Sequence, residues 1–229
     1  MVKRNLVLSL AYLVSVWCTL SLGQLQDQSG EMDMANEFLE RNEVFAENVA
    51  EHVQLANVIE STQDPKVALI GCIDSRVIPE YTIRATFGEV VTYRNVGNIV
   101  RKDQLDVKAF IQFALSQPNL KTIIVAGHTD CGGMKGIMRD SNGALGKYLE
   151  PVKDLYTSRK EYLDDIPKKD ALRMLSVLNV RRSVNNLRVS PEVMAHEGNV
   201  KIHGWVFDLT TRKYTDVTKP SSFSRRPRL

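Results

Sequence analysis

The chain has 229 residues, of which 43% are hydrophobic and 25% charged, with a formal charge of +3 at neutral pH. These are globular averages, and the length suits one domain with a sizeable core. A nearly neutral body has no basic face or stripe of the kind nucleic-acid binders need, so that class of partner is excluded.

The first segment stands apart. Lys3 and Arg4 precede an uncharged apolar run, Leu6 to Leu22, that ends in Ser21-Leu22-Gly23 before a polar stretch. This is the anatomy of a secretory signal peptide cleaved after Gly23, and it predicts a secreted, extracellular protein that meets a membrane only during export. An uncleaved anchor is the alternative, because the run has 17 residues and a span needs roughly 20. Cleavage removes two cations and lowers the formal charge to +1, leaving residues 24–229 as a single domain.

From Glu31 to Ile59, Phe38, Phe45, Val49, Val53 and Ala56 recur at helical spacing among polar residues, as in one or two amphipathic helices. Val67 to Ile73, Glu89 to Val96 and Thr122 to Ala126 have the β-branched, apolar character of strands, the first and third of buried parallel type. Between the last two, a helix through Leu115 is expected, with Asp103 as its N-cap. Gly143 to Lys168 reads as polar and irregular, punctuated by Pro151 and Pro167, and a long helix covers Asp170 to Arg188. Val200 to Leu209 and Tyr214 to Val217 form a C-terminal hairpin. The alternation of strands and helices predicts an α/β fold with a mostly parallel sheet flanked by helices. The terminal Arg225, Arg226 and Arg228 read as a solvated tail.

Two short runs carry the chemistry. Gly-Cys72-Ile-Asp74-Ser-Arg76 and Gly-His128-Thr-Asp130-Cys131-Gly-Gly each follow a predicted strand, and functional groups of open α/β sheets gather beyond the carboxyl ends of such strands. Cys18 leaves with the signal, so Cys72 and Cys131 remain. In an exported protein such a pair is ordinarily a disulfide. A disulfide, however, has no use for His128 three residues before one cysteine or for Asp74 and Arg76 just after the other. Two thiolates and an imidazole are a three-ligand zinc set that keeps a fourth position open for catalysis. A helical turn starting at the strand end would bring His128 and Cys131 to one metal.

Two thiolates cancel the charge of Zn²⁺ and weaken it as a Lewis acid, so the site needs help. Asp74 can orient a zinc-bound hydroxide toward a substrate carbon, or can ligate the zinc itself. Arg76 decides between these by forking onto the carboxylate, which holds it off the metal and ionised. Asp130 is either a partner that orients the ligands or an exposed turn acid. His52, His196 and His203 read as structural or surface residues, and Ser75 has no histidine beside it to activate it.

Cys-x-Asp-Ser-Arg followed by His-x-x-Cys-Gly-Gly resembles the β-class carbonic anhydrases. Tyr93-Arg94-Asn95-Val96-Gly97-Asn98, Asn179 to Val189, and Ile202-His203-Gly204-Trp205 add further similarity, extending from about Asn36 to Val217. The resemblance implies zinc-dependent hydration of carbon dioxide to bicarbonate and a proton. It implies Cys72, His128 and Cys131 as ligands, with Asp74 joining them in a resting form. Asp74 and Arg76 become the catalytic dyad, and a homodimer or larger homo-oligomer becomes the working unit. Members with an inhibitory bicarbonate pocket carry Trp three residues before the first ligand cysteine; here that position is Leu69, while Arg94 is retained, so weaker bicarbonate inhibition is expected. Carbon disulfide or carbonyl sulfide hydrolysis on the same fold, and a non-catalytic secreted zinc protein, are the alternative functions.

Overall fold

The computed structural model describes residues 34–219. The expected signal peptide, Cys18 and the arginine-rich tail lie outside these residues. The chain divides after Glu60 into two compact units. The first holds α1, Met34–Ala50, and α2, Val53–Glu60. The break between them falls at His52, whose carbonyl accepts from the amides of Leu55 and Ala56 and so starts α2. His52 is therefore an initiator of that helix and not a member of a helical face.

The second unit is built on a five-stranded sheet in the order β2-β1-β3-β4-β5. Its strands are β1 (Val67–Cys72), β2 (Val90–Asn95), β3 (Thr122–His128), β4 (Lys201–Asp208) and β5 (Lys213–Asp216). The first four run parallel, and only β5 pairs antiparallel, as the expected hairpin on β4. From β1 the chain crosses to one neighbour, β2, and then back to the other, β3. The gap between the ends of β1 and β3 is therefore the point where the winding reverses, the place where an open α/β sheet leaves a crevice. Cys72 ends one of those strands and His128 the other.

Alternation along the strands divides the core. Ala68, Ile70, Ile123 and Val125 face one side and pack against Val107, Ile111, Val177, Val180 and Val184. Leu69, Ile124 and Ala126 face the other side with Trp205 and Tyr214. The helices of this unit are α3 (Pro79–Thr82), α4 (Leu105–Leu115), α5 (Gly132–Met138), α6 (Gly143–Thr157), α7 (Lys160–Asp165), α8 (Lys168–Arg188) and α9 (Pro191–Met194). Helix α8 comes close to the sheet because Gly127 and Gly204 carry no side chain. A Cβ on Gly127 would stand 2.7 Å from a Val180 methyl, and one on Gly204 2.8 Å from the other.

Several boundaries differ from expectation. The stretch 143–168 is mostly helical: Leu149, Val152 and Leu163 are buried and drive α6 and α7 onto the core, while charged residues on the outer faces hide the period. Pro151 sits inside α6, where its missing N–H removes one helical bond. Asp103 does not cap α4; it pairs with Arg101, and Gln104 takes the cap position. β3 runs through Gly127 to His128 because β4 pairs with it to the end, His128 opposite Phe207. The long helix begins at Lys168, two residues before Asp170.

Candidate metal centre

Three elements deliver the donors. Cys72 closes β1 opposite Asn95, His128 closes β3, and Cys131 is the N-cap of α5 in extended conformation. His128 and Cys131 are not joined by a helical turn: Asp130 between them adopts φ 58°, a left-handed kink that reverses the chain so that both side chains point inward. The two sulfurs stand 3.8 Å apart, and all three donor atoms lie within 4.8 Å of one another.

Burial and charge suit a cation. His128 is 1% exposed. Its Nδ1 lies 2.9 Å from the Thr129 carbonyl, which can only accept, so Nδ1 carries the proton and Nε2 keeps its lone pair. Nε2 is buried with no hydrogen-bond partner among the described residues. An orphan lone pair in the interior is costly unless something binds it. Donation from Cys131 holds the Cys72 thiol down at about 4, against its burial and with help from His128. Cys131, as donor to Cys72 and itself buried, is pushed up. Burial works to lower His128, but the adjacent Cys72 outweighs it and raises the imidazole. Three donors around a focus of negative charge fit a soft divalent ion such as zinc.

Asp74 sits beside this cradle in the grip of Arg76. Nε of Arg76 donates to Oδ1 at 2.9 Å and Nη2 to Oδ2 at 2.8 Å, and the Arg76 backbone amide adds a third bond at 3.0 Å. The fork holds the Asp74 carboxyl down at about 2, overcoming partial burial. Asp74 Oδ2 is 3.7 Å from His128 Nε2, yet the carboxylate falls outside the three-donor cluster. Asp130 is drawn to Arg76 and not to the ligands: its carboxylate and carbonyl each accept from the guanidinium at 3.3 Å, and Lys135 holds its other oxygen at 2.7 Å.

Two supports escaped the sequence reading. Arg94 donates to the carbonyls of Cys72, Asp74 and Val77, each at 2.9 Å, and so clamps the whole loop that presents the dyad. Leu69, three residues before Cys72, is fully buried in apolar surroundings, so the neighbourhood of Arg94 offers no indole there. On α8, Asn179, Ser183 and Asn186 bond to the carbonyls of Gly97, Asn98 and Val100, fixing the segment beside the metal cradle. The signal for that stripe was polar residues at i, i+4 and i+7 on the otherwise apolar face of a helix. His196 bonds to the Glu192 carbonyl and His203 to Asp216, both in the structural roles expected.

Comparison with known proteins gives the same reading. The carbonic anhydrase family profile matches residues 67–214. A carbonic anhydrase of Emericella nidulans is 32% identical over 158 residues, spanning 67% of this chain and 69% of the relative. That of Saccharomyces cerevisiae is 31% identical over 173 residues, 68% of this chain and 78% of the relative. One of two tetrameric β-carbonic anhydrases from Sordaria macrospora superposes with a TM-score of 0.76 at 26% identity, covering 80% of this chain and 96% of that one. The chain belongs to the β-class carbonic anhydrase family.

A β-carbonic anhydrase from Coccomyxa, solved with acetazolamide, superposes with a TM-score of 0.73 at 26% identity over 81% of this chain and 86% of that one. The reaction of a carbonic anhydrase is the hydration of carbon dioxide to bicarbonate and a proton, and this family uses zinc for it. In this carbonic anhydrase, Cys72, His128 and Cys131 are the clustered donors that fit that metal.

Proposed function

We propose that this chain is an exported zinc carbonic anhydrase in which Cys72, His128 and Cys131 hold the metal and Asp74 and Arg76 direct the attacking oxygen. The observation that carries the reading is the Arg76 fork on Asp74 beside a cradle whose His128 Nε2 has no hydrogen-bond partner among the described residues. Bound zinc supplies a Lewis acid that makes water a nucleophile near neutral pH. Everything else falls to the protein. Asp74 stays ionised because Arg76 favours the charged form, so it accepts a hydrogen bond and takes no proton. An acceptor fixed at two oxygens by a planar fork orients the O–H it receives, leaving the lone pair of that oxygen free for the carbon of the substrate. Asp130, itself paired with Lys135, holds Arg76, and Arg94 fixes the backbone on which the dyad stands.

Export is supported by the Lys3-Arg4 flank and the apolar run that follows, with one enzyme domain after residue 23. Among the described residues no helix is long and apolar enough to cross a membrane. A homo-oligomer is supported by Ile73, Ile78, Tyr81 and Leu105, apolar side chains that are at least half exposed. The relative from Sordaria macrospora is described as tetrameric.

The test is stopped-flow hydration of carbon dioxide by the purified protein, paired with metal analysis. We expect one zinc per chain, its loss in Cys72→Ser, and retained zinc with lost turnover in Asp74→Ala. Activity that survives both substitutions refutes the assignment, and faster turnover of carbon disulfide or carbonyl sulfide reassigns the substrate. Material from the culture medium should begin at Gln24, and light scattering should give a mass of two chains or more.

A further inference from the structure

Arg76 serves two neighbours. Its Nε and Nη2 fork onto Asp74, while Nη1 donates to Asp130 Oδ2 at 3.3 Å, and Lys135 holds the other oxygen of that second carboxylate at 2.7 Å. Arg76, Asp130 and Lys135 also line a cavity of about 770 Å³ to which neither Asp74 nor any of the three metal donors contributes. Its remaining walls are the first turns of α8 and the turn between β4 and β5. Such a volume holds a whole small organic molecule, since ligand sites run from about 300 to 1,000 Å³.

The charges of this cavity do not balance. Five cations line it against three carboxylates, a net charge of +2. Two of the carboxylates are already engaged: Asp130 holds Arg76 and Lys135, and Asp208 accepts from the Thr210 and Thr211 amides at 2.9 Å each, closing the hairpin turn. The unbalanced cations sit on α8. Lys168 and Lys169 occupy its first two positions, are exposed, and form no ion pair among the described residues. Cations there face the positive end of the helix dipole, where acids are favoured. Lys169 and Arg173 are four apart on the same helix and line the same cavity, a like-charged pair that destabilises a helix. A bound anion relieves both repulsions. Lys135 on α5 and Arg76 on the loop after β1 complete a set of donors drawn from three separate elements.

We propose that this cavity is an effector site for a small phosphomonoester, which engages Lys135, Lys169 and Arg173 and loosens Arg76 from Asp74. A phosphate group carries nearly two charges at neutral pH and three acceptor oxygens, which suits donors converging from several elements. Leu172 and Leu209 offer apolar surface to its organic remainder. Once the anion takes Lys135, the Asp130 carboxylate is left to Arg76 alone. Anion and carboxylate then both draw on a guanidinium that is half exposed and free to leave the fork. Inhibition by this route rests on the carbonic anhydrase reading above; binding does not.

The experiment titrates the zinc-loaded full chain with phenyl phosphate by calorimetry at low salt. One molecule per chain should bind. Lys169→Gln/Arg173→Gln should weaken binding about tenfold or more with zinc content unchanged, and Asp130→Asn should tighten it, because a competing carboxylate is gone. In hydration assays, saturating phenyl phosphate should lower kcat/KM of the wild type about tenfold, and the same concentration should leave Lys169→Gln/Arg173→Gln far less inhibited. No binding, or binding indifferent to the α8 substitutions, overturns the site. Equal inhibition of wild type and double variant places the anion on the metal and overturns the effector role, as does equal inhibition by chloride at matched ionic strength, which is screening alone. Succinate bound as tightly as phenyl phosphate overturns the phosphate class. A wild type that holds zinc and binds phenyl phosphate but hydrates nothing refutes the functional reading and leaves the site standing.

Discussion

Gly127→Ala tests how tightly the metal ligand His128 is tied to helix packing. Gly127 does not occupy a left-handed conformation, so alanine meets no backbone penalty and the whole cost is steric. Its Cβ would lie 2.7 Å from a Val180 methyl and 3.2 Å from Asn98 Oδ1. The Val180 side chain is fully buried, with no room to swing away, so α8 or the end of β3 has to move. Overpacking of this kind costs about 1–3 kcal/mol. In a chain of this length that lowers Tm by roughly 2–12 °C. Gly132→Ala is the control: nothing lies within 4 Å of the added carbon at the first position of α5, and it should stabilise by about 0.4–1 kcal/mol. Calorimetry with metal analysis reads both, and zinc affinity should fall only in Gly127→Ala, because the residue that moves adjoins a ligand. Val180→Ala alone should cost about 1.6 kcal/mol for its lost methyl groups, plus a cavity term. Placed on Gly127→Ala it should add far less, a coupling of roughly 1 kcal/mol or more. Equal melting temperatures for the two glycine variants, or simple additivity with Val180→Ala, would refute the packing argument.

Three further outcomes are expected. Arg76→Lys leaves a positive charge beside Asp74 but no planar fork, so zinc should remain and kcat/KM should fall about a hundredfold; wild-type turnover would show that the fork does not orient the dyad. Burial works to raise the Asp216 carboxyl, but the Thr218 hydroxyl and amide and then His203 outweigh it and hold it below the ordinary carboxylate range. A depressed pKa contributes stability above the unfolded value of about 3.9, which is lost as pH falls through the folded value, so urea titrations of wild type and Asp216→Asn should converge in strong acid and separate by pH 6. Chelation should lower Tm, make both Cys72 and Cys131 reactive to thiol reagents, and grow easier as pH falls, because protons compete for the same three donors; thiols already accessible in zinc-loaded protein would contradict the ligand set.

The fold was legible wherever a pattern repeats within a few residues. The buried strands show as β-branched runs because parallel strands covered on both faces need apolar side chains throughout, and the hairpin shows as two runs around a polar turn. Helices α6 and α7 were not legible. Their buried residues, Leu149, Val152 and Leu163, are few, and Pro151 in mid-helix argues against the element that contains it. Asp103 has the residue type of a cap, but its contact with Arg101 depends on where the chain turns.

The amino-acid order already carried the chemistry of the centre: which side chains can be thiolate, imidazole, acceptor and fork, since ligand type and donor or acceptor capacity are properties of the residues. It also carried the pairing of Asp74 with Arg76, whose spacing of two lies within the reach of one side chain. That Cys72 meets His128 and Cys131 follows from the fold alone, because the contact spans the winding reversal between β1 and β3. The left-handed turn at Asp130, the Arg94 clamp and the polar stripe of α8 are likewise decided there. Each depends on the path of a backbone whose neighbours lie tens of residues away, and no local preference specifies such a path.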